Sequence, residues 1–209
     1  MVAFRWFRGT WKVRSETLDV QAPCGIALFG GNATYNNALQ DIGNVLEYES
    51  RFLIDGSGRT IADREYNVKS IAKVSMGENS VVDVSSATPN FFSCILAPKG
   101  SPTMLTVDLI ALNRRQEVVS DNKFDCSEVV REIASPVDGP KRQPPILKEI
   151  ETTSLYTYIP ERDEVRCQQR SAAFLLPSNE SPIGMKMWQA SRGRAIDVRF
   201  YDVLYTRKS

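Results

Sequence analysis

Residues 44–55, NVLEYESRFLID, alternate between mostly apolar and charged side chains along the whole stretch. One set of alternate positions carries Leu46, Tyr48, Ser50, Phe52 and Ile54, and the other begins with Glu47, Glu49 and Arg51. This period of two is typical of a half-buried antiparallel strand, because successive side chains of a strand point to opposite faces of the sheet. The stretch therefore predicts a β-sheet with one face packed on a core.

The residues on either side of this strand extend the pattern into hairpins. Asp55-Gly56-Ser57-Gly58 predicts a turn, because both glycines accept a positive φ. Residues 59–74 alternate again, with Ala62, Tyr66, Val68 and Ser70 on one side, and we interpret them as the returning strand. Further strand-like runs follow between Gly, Pro and Asn turns, at residues 80–86, 90–97, 103–112, 123–135, 148–159, 165–176 and 195–208. Many short strands at this spacing favour a sandwich or barrel over βαβ units.

Helix is predicted in only two places, near residues 36–43 and 185–190. Residues 135–147 contain a cluster of prolines and predict an exposed loop. Too few strands follow this loop to build a second core, so we interpret residues 1–209 as a single domain. About nine or ten antiparallel strands in up-and-down order suit a barrel, because closure removes exposed edges. The predicted fold is all-β, an up-and-down antiparallel β-barrel with long loops and little helix.

Composition excludes several classes of function. The chain has 42% hydrophobic and 24% charged residues and a formal net charge of +1, which argues against an electrostatic nucleic-acid binder. It has no histidine, so the usual general base and the commonest metal ligand are missing. No apolar run approaches the roughly 18 residues of a membrane span. We therefore expect no catalytic residues, no metal site, no nucleic-acid partner and no transmembrane span.

The four cysteines, Cys24, Cys94, Cys126 and Cys167, are far apart and form no C-x-x-C pair. This spacing argues against zinc and thioredoxin-like sites, and we expect unbridged, mostly buried thiols. The first twelve residues contain no long apolar segment or small-residue cleavage site. We therefore expect a targeting peptide to be absent or already removed.

Two features at opposite ends of the chain resemble those of lipocalin-like barrels. The stretch FRGTWKVRSE, residues 7–16, contains Gly9-x-Trp11 on the first predicted strand, and Arg207 lies at the end of the last one. In lipocalins the tryptophan closes the floor of the barrel and the terminal arginine packs over its ring, a cation–π contact. The resemblance thus implies that Gly9, Trp11 and Arg207 close the barrel and that the first and last strands are neighbours.

Five further stretches, with the first strand, extend the resemblance over most of residues 4–208: LEYESRFL, DREYNVKSI, FDCSEVVREI, ETTSLYTYI and AIDVRFYDVLYTRK. Together they resemble an uncharacterised lipocalin-like protein family of cyanobacteria and plastids, which is distantly similar to S- and T-type phycobiliprotein lyases. That family has no established chemistry, so the resemblance transfers no catalytic residue. It implies a photosynthetic setting, in a chloroplast or a cyanobacterial cell, associated with the thylakoid.

The resemblance implies a non-enzymatic protein of the photosynthetic apparatus. Such a protein would bind an apolar ligand, namely a tetrapyrrole such as a bilin, a carotenoid or a lipid. Alternatively, it would dock as an accessory or linker subunit on a pigment–protein complex, either a phycobilisome or a photosystem. An enzymatic alternative is a phycobiliprotein chromophore lyase or a bilin chaperone, which acts chiefly by orienting a reactive tetrapyrrole.

Two groups of residues are candidates for these contacts. If the barrel is hollow, the side chains expected to touch a ligand are Tyr48, Phe52, Tyr66, Arg199 and Tyr201. The same aromatic residues would also suit a barrel packed solid, and both interpretations stay open. At the mouth opposite Trp11, two long segments are expected to contact a partner, through Phe29 and Tyr35 in residues 20–43 and through Lys141 and Arg142 in residues 135–147.

Overall fold

The structure is a computed structural model, and it describes residues 5–97, 99–100, 103–137, 145–177 and 181–208. Within these ranges the chain forms ten strands: β1 (Gly9–Gln21), β2 (Val45–Ile54), β3 (Thr60–Ala62), β4 (Val81–Ala87), β5 (Phe91–Leu96), β6 (Leu105–Ser120), β7 (Lys123–Pro136), β8 (Ile146–Ile159), β9 (Glu164–Leu175) and β10 (Asp197–Arg207). Four helices accompany them: α1 (Ile26–Phe29), α2 (Asn32–Leu39), α3 (Arg64–Met76) and α4 (Pro182–Ser191). A 3₁₀ turn at Arg5–Phe7 precedes β1.

All ten strands belong to one antiparallel sheet in the order β3-β2-β1-β10-β9-β8-β7-β6-β5-β4. The sheet curls into a half-barrel, which confirms the predicted all-β, barrel-like fold with up-and-down strand order. β1 pairs with β10 from Trp11↔Arg207 onward, so the first and last strands are neighbours. Strands β3 and β4 form the two edges and do not pair with each other.

The prediction of a strand over residues 59–74 is wrong beyond Ala62. Only Thr60–Ala62 pairs with β2, and helix α3 follows directly. The Asp63 carboxylate caps this helix by accepting a hydrogen bond from the Tyr66 amide, which is the usual way a helix begins. The helical prediction near residues 185–190 falls inside α4, whereas the one near 36–43 overlaps α2 only in part.

Helix α3 takes the position beside β2 that a longer β3 would have filled. Its Asn67 side chain accepts a hydrogen bond from the Arg51 amide and donates one to the Arg51 carbonyl, and the Ser70 hydroxyl accepts one from the Glu49 amide. Its Val68 packs against the cluster of β4–β7 residues that contains Phe92. The helix therefore covers a sheet edge and fills the gap towards β4.

We call the sheet face that carries Trp11 the core face and the opposite one the outer face. At the end where Trp11 lies, the core face is filled by a cluster that we call the floor core: Phe7, Trp11, Val13, Phe52, Phe124, Cys126, Tyr156, Val165, Cys167, Val203 and Tyr205. The Phe7 ring lies at its centre, with ring centroids 4.1 Å from Phe52 and 5.4 Å from Tyr156. Because β2 and β8 are four strands apart in the sheet, both can reach Phe7 only if the sheet curls around it.

No disulfide joins the four cysteines; Cys94, Cys126 and Cys167 are buried and Cys24 is half-buried, which confirms the prediction for these residues. Burial raises the pKa of both Cys126 and Cys167 from 9.0 to about 12, and that of Cys94 to about 11. Burial likewise raises the pKa of Tyr48 from 10.0 to about 12. The three buried thiols are therefore protonated and poor nucleophiles near neutral pH.

These pKa shifts predict that the protein loses stability at alkaline pH. Below about pH 9 the thiols are protonated in both the folded and the unfolded chain, so their contribution is fully present. Above that pH only the unfolded chain ionises readily, and stability falls until the folded-state pKa values near 12 are reached. We expect the thermal midpoint, followed by circular dichroism, to fall steadily above about pH 9. The variant Cys167→Ala should show a shallower fall, and a midpoint independent of pH up to about 11 would contradict the prediction.

Candidate functional site

Trp11 and Arg207 close the floor of the half-barrel. Trp11 is fully buried, and the guanidinium carbon of Arg207 lies 4.2 Å from the centroid of its ring. The Trp11 Nε1 donates a hydrogen bond of 2.9 Å to the Phe7 carbonyl. Arg207 also donates to the Arg8 and Trp6 carbonyls and to the Asp163 carboxylate. The pair thus ties the residues before β1 to the last strand.

Gly9 is required by this arrangement for two reasons. Its φ is +114°, a backbone conformation that L-residues with a side chain rarely adopt. A Cβ atom at this position would also lie 3.1 Å from Nη1 of Arg207. The glycine of Gly9-x-Trp11 therefore lets the chain bend and lets the arginine approach the backbone. These contacts are structural.

Four of the five predicted ligand-contacting residues, Phe52, Tyr48, Tyr201 and Arg199, lie on the core face. Phe52 is 6% exposed and packs in the floor core. Tyr48 and Tyr201 pack against the same core, and burial raises the pKa of Tyr201. At this level the core face is filled by its own aromatic side chains, so Phe52, Tyr48 and Tyr201 contribute to packing there.

Tyr66 and Arg199 both lie apart from the floor core. Tyr66 is on helix α3, where its hydroxyl donates to the Glu49 carboxylate and the Arg51 guanidinium covers its ring. Arg199 lies nearer the mouth and forms ion pairs with Asp197 and Asp41, each at 3.1 Å. The structure therefore does not bring the five residues together into one site.

The predicted contact segments both lie at the mouth, the end of the sheet opposite Trp11. Residues 20–43 are not an open loop: Phe29 is 8% exposed and packs with Val20 and Ala38, and Tyr35 meets its ring edge-to-face at 5.1 Å. β7 ends at Pro136 and β8 begins at Ile146, so the 135–147 segment joins them at the same end. Lys141 and Arg142 lie outside the described residues.

A large groove lies on the outer face of the sheet. It has a volume of about 740 Å³ and crosses six neighbouring strands, from β6 to β1. Its lining side chains alternate with those of the floor core: Arg115, Glu117, Asp125, Ser127, Thr153, Leu155, Gln168, Arg170 and Phe200, with Leu18 of β1. The in-register residues Cys126, Ser154, Gln169 and Tyr201 complete its border.

The two ends of the outer-face groove differ in chemistry. Leu18, Leu155 and Phe200 make the β1–β10–β8 side apolar. Arg115 and Glu117 make the β6 end charged, and their side chains are 80% and 64% exposed. Arg170 lies between the two ends, where its Nη1 is 3.3 Å from a Glu151 oxygen. The groove therefore suits a molecule with an apolar body and polar or acidic substituents.

Sequence reasoning missed the outer-face groove because it took the face rich in aromatic residues as the ligand-binding one. A signal was present in the last strand, where Val198, Phe200 and Leu204 make the face opposite Arg199 and Tyr201 apolar as well. The residues of this second apolar face of β10 have different surroundings in the structure. Val198 is buried with Ala172 and Ala195, whereas Phe200 borders the groove.

The described residues contain no group of three or more Cys, Asp or Glu side chains placed to hold a metal ion. None of the helices in the described ranges combines the length and the apolar character needed to cross a membrane.

A family described as a domain of unknown function, DUF6816, matches residues 4–208. The chain belongs to this family. The DUF6816 match spans the whole sheet, both faces of it and the helix at its open edge, so the family is defined by the entire half-barrel. A search of curated proteins and a search of solved structures each returned no match.

Proposed function

We propose that this DUF6816 protein is a non-enzymatic binding protein of the photosynthetic apparatus that holds a flat, largely apolar ligand in the outer-face groove. The ligand classes that fit are a tetrapyrrole, a carotenoid or a lipid. The observation that carries the proposal is the groove itself, since about 740 Å³ lies in the size range of small-molecule sites. The photosynthetic setting, in a chloroplast or a cyanobacterial cell, follows from the resemblance of the sequence alone.

Binding is favoured over catalysis by the chemistry of the residues that border the outer-face groove. The one thiol among them, Cys126, is buried and has a pKa of about 12, so it is not a thiolate near neutral pH. Apolar Leu155 and Phe200 provide a surface for a flat molecule, and Arg170 provides a cation for an acidic substituent. The core face, in contrast, is packed at the floor by Phe7 and its neighbours.

The test compares two threonines on the same face of β8. Thr153 borders the outer-face groove, whereas Thr157 lies four residues further along the same face, towards the floor and outside the groove. A tryptophan at Thr153 should fill the groove, and the same change at Thr157 is its matched control. We expect Thr153→Trp to weaken ligand binding about tenfold or more, equivalent to about 1.4 kcal/mol, and Thr157→Trp to leave it unchanged.

Binding is measured by absorption and equilibrium dialysis with three probes: biliverdin, β-carotene and phosphatidylglycerol. The absorption and mass spectra of the protein purified from its native source give a second readout. Saturable binding of at least one probe that Thr153→Trp removes supports the proposal. Failure of all three probes to bind the wild-type protein, or equal binding by both variants, overturns it.

A further inference from the structure

Strand β6 is longer than its neighbour β5, so part of one β6 edge is unpaired among the described strands. We call this region the seam of the half-barrel. β5 pairs with β6 only as far as Phe91↔Ile110, and the Ala111 amide then donates to the Asn90 carbonyl. β6 continues to Ser120, so its second half pairs with β7 alone among the described strands. The unpaired side of this half faces the β2–β3 hairpin, and a cavity of about 490 Å³ lies between them. We call this cavity the seam pocket.

The seam pocket is bordered by an unusual charge arrangement around Glu128. One oxygen of its carboxylate accepts hydrogen bonds from two guanidinium groups, those of Arg64 and Arg114, with Arg114 Nε at 2.6 Å. The two arginine side chains are only 20% and 23% exposed. One carboxylate balances only one of the two cations, so a positive charge remains in a partly desolvated place.

Hydrogen bonds to the β4–β5 turn fix the position of the Arg114 guanidinium. Its Nη1 donates a 2.7 Å hydrogen bond to Oδ1 of Asn90, and its Nη2 donates to the Pro89 carbonyl in the β4–β5 turn. A planar guanidinium fixed on three sides presents its remaining hydrogens in a set direction, which lowers the entropic cost of binding an anion. Arg114 is therefore a preorganised cation at the wall of the seam pocket.

The opposite wall adds another guanidinium. Arg59, in the β2–β3 turn, is 60% exposed and pairs with Asp55 at 2.9 Å. Arg59, Arg114 and Arg115 thus border the seam pocket, and Arg64 binds its Glu128 from behind. Against these four arginines stand three carboxylates, Asp55, Glu128 and the Glu117 that pairs with Arg115, which leaves one net positive charge.

We propose that the seam pocket is an oxyanion-binding site for a polycarboxylate or a phosphate group. Arg114 is the central donor, Arg59 closes over the anion from the hairpin, and Arg64 with Glu128 sets the local charge. Guanidinium groups favour such ligands because their paired N–H donors match two oxygens of one anion. The anion is either free or an acidic group of a larger ligand. An acidic group of a ligand in the outer-face groove can reach the seam pocket, because Arg115 and Ser127 border both cavities.

The experiment uses citrate and phosphate as probes, with ionic strength held constant by sodium chloride. Binding is followed by calorimetry and by the rise of the thermal midpoint that a ligand of the folded state produces. We expect saturable binding of at least one anion, weakened about threefold or more by Arg59→Gln. Arg166→Gln, an exposed arginine on β9 away from the seam pocket, is the matched control and should bind like the wild type.

The variant Glu128→Gln separates an anion site from a purely structural ion cluster. Removing the competing carboxylate while keeping its shape should tighten anion binding about threefold or more, whereas a structural cluster would give no gain. If this variant does not fold, the comparison of anion binding by Arg59→Gln and by Arg166→Gln tests the proposal by itself. Thr153→Trp, which blocks the groove, should leave the binding of free citrate intact, so the seam proposal and the groove proposal can fail separately. The inference is overturned if neither anion binds the wild type saturably, or if Arg59→Gln and Arg166→Gln behave alike.

Discussion

Replacing Trp11 with alanine is expected to lower the free energy of unfolding by about 3–5 kcal/mol, as for a large aromatic residue in a tight core. Trp11 is fully buried, stacks on Phe7 with ring centroids 5.5 Å apart, and carries the Arg207 guanidinium on its other side. The substitution leaves a cavity and removes the hydrogen bond from Nε1 to the Phe7 carbonyl. Urea unfolding followed by far-ultraviolet circular dichroism measures the loss.

The matched control is Trp188→Ala. Trp188 lies on helix α4, is only partly buried and belongs to no part of the floor core. We expect this variant to lose about 1 kcal/mol or less, the range of most substitutions outside a core. Equal losses for the two tryptophans would show that the floor is not the main stabilising cluster.

Replacing Asn67 with alanine is expected to cost about 1–3 kcal/mol, because it leaves the Arg51 amide of β2 without a partner. The Asn67 side chain is 2.6 Å from the Arg51 amide and 3.2 Å from its carbonyl, where it substitutes for a neighbouring strand. β3 cannot provide a partner for the Arg51 amide, since its pairing with β2 covers only Phe52–Ile54, whereas the Arg51 carbonyl keeps a hydrogen bond from the Asp63 amide. Hydrogen exchange of the Arg51 amide and chemical denaturation measure the effect.

Ser75→Ala on the same helix is the control for this prediction. The Ser75 hydroxyl donates only to the Ile71 carbonyl within α3 and lies at an exposed position. Its removal should change the free energy of unfolding by about 0.5 kcal/mol or less. If Asn67→Ala costs no more than Ser75→Ala, or if exchange of the Arg51 amide does not accelerate, α3 does not seal the edge of β2.

Alternation along the chain predicted most of the strands. The hairpin turn at Gly56 and Gly58 and the long strand over residues 123–135 were both predicted, and β2 and β7 have the expected pattern. The resemblance placed Arg207 over Trp11, and the register of β1 with β10 puts these residues directly opposite each other. Alternation failed at α3, because Tyr66, Val68 and Ser70 fit both a strand and a helix that packs against a sheet edge.

The five predicted ligand-contacting residues do not form one site, because their surroundings depend on segments distant in the sequence. Phe52 and Tyr201 share the core face, but the pattern of one strand does not reveal that Phe7, from outside the sheet, fills the space between them. Tyr66 does not lie on the core face of the sheet, because its segment is helix α3 and not a strand. Lys141 and Arg142 stay predictions, since they lie outside the described residues.

The sequence by itself determined the antiparallel β-architecture and many of its turns, because these depend on local alternation and on backbone conformations such as that of Gly9. Only the tertiary structure decided where the cavities lie. The groove joins side chains from six strands spread from Leu18 to Phe200, and the seam pocket joins a hairpin, a turn and the far half of β6. Such sites arise from the curl of the sheet and from strands of unequal length, which no single stretch of sequence encodes.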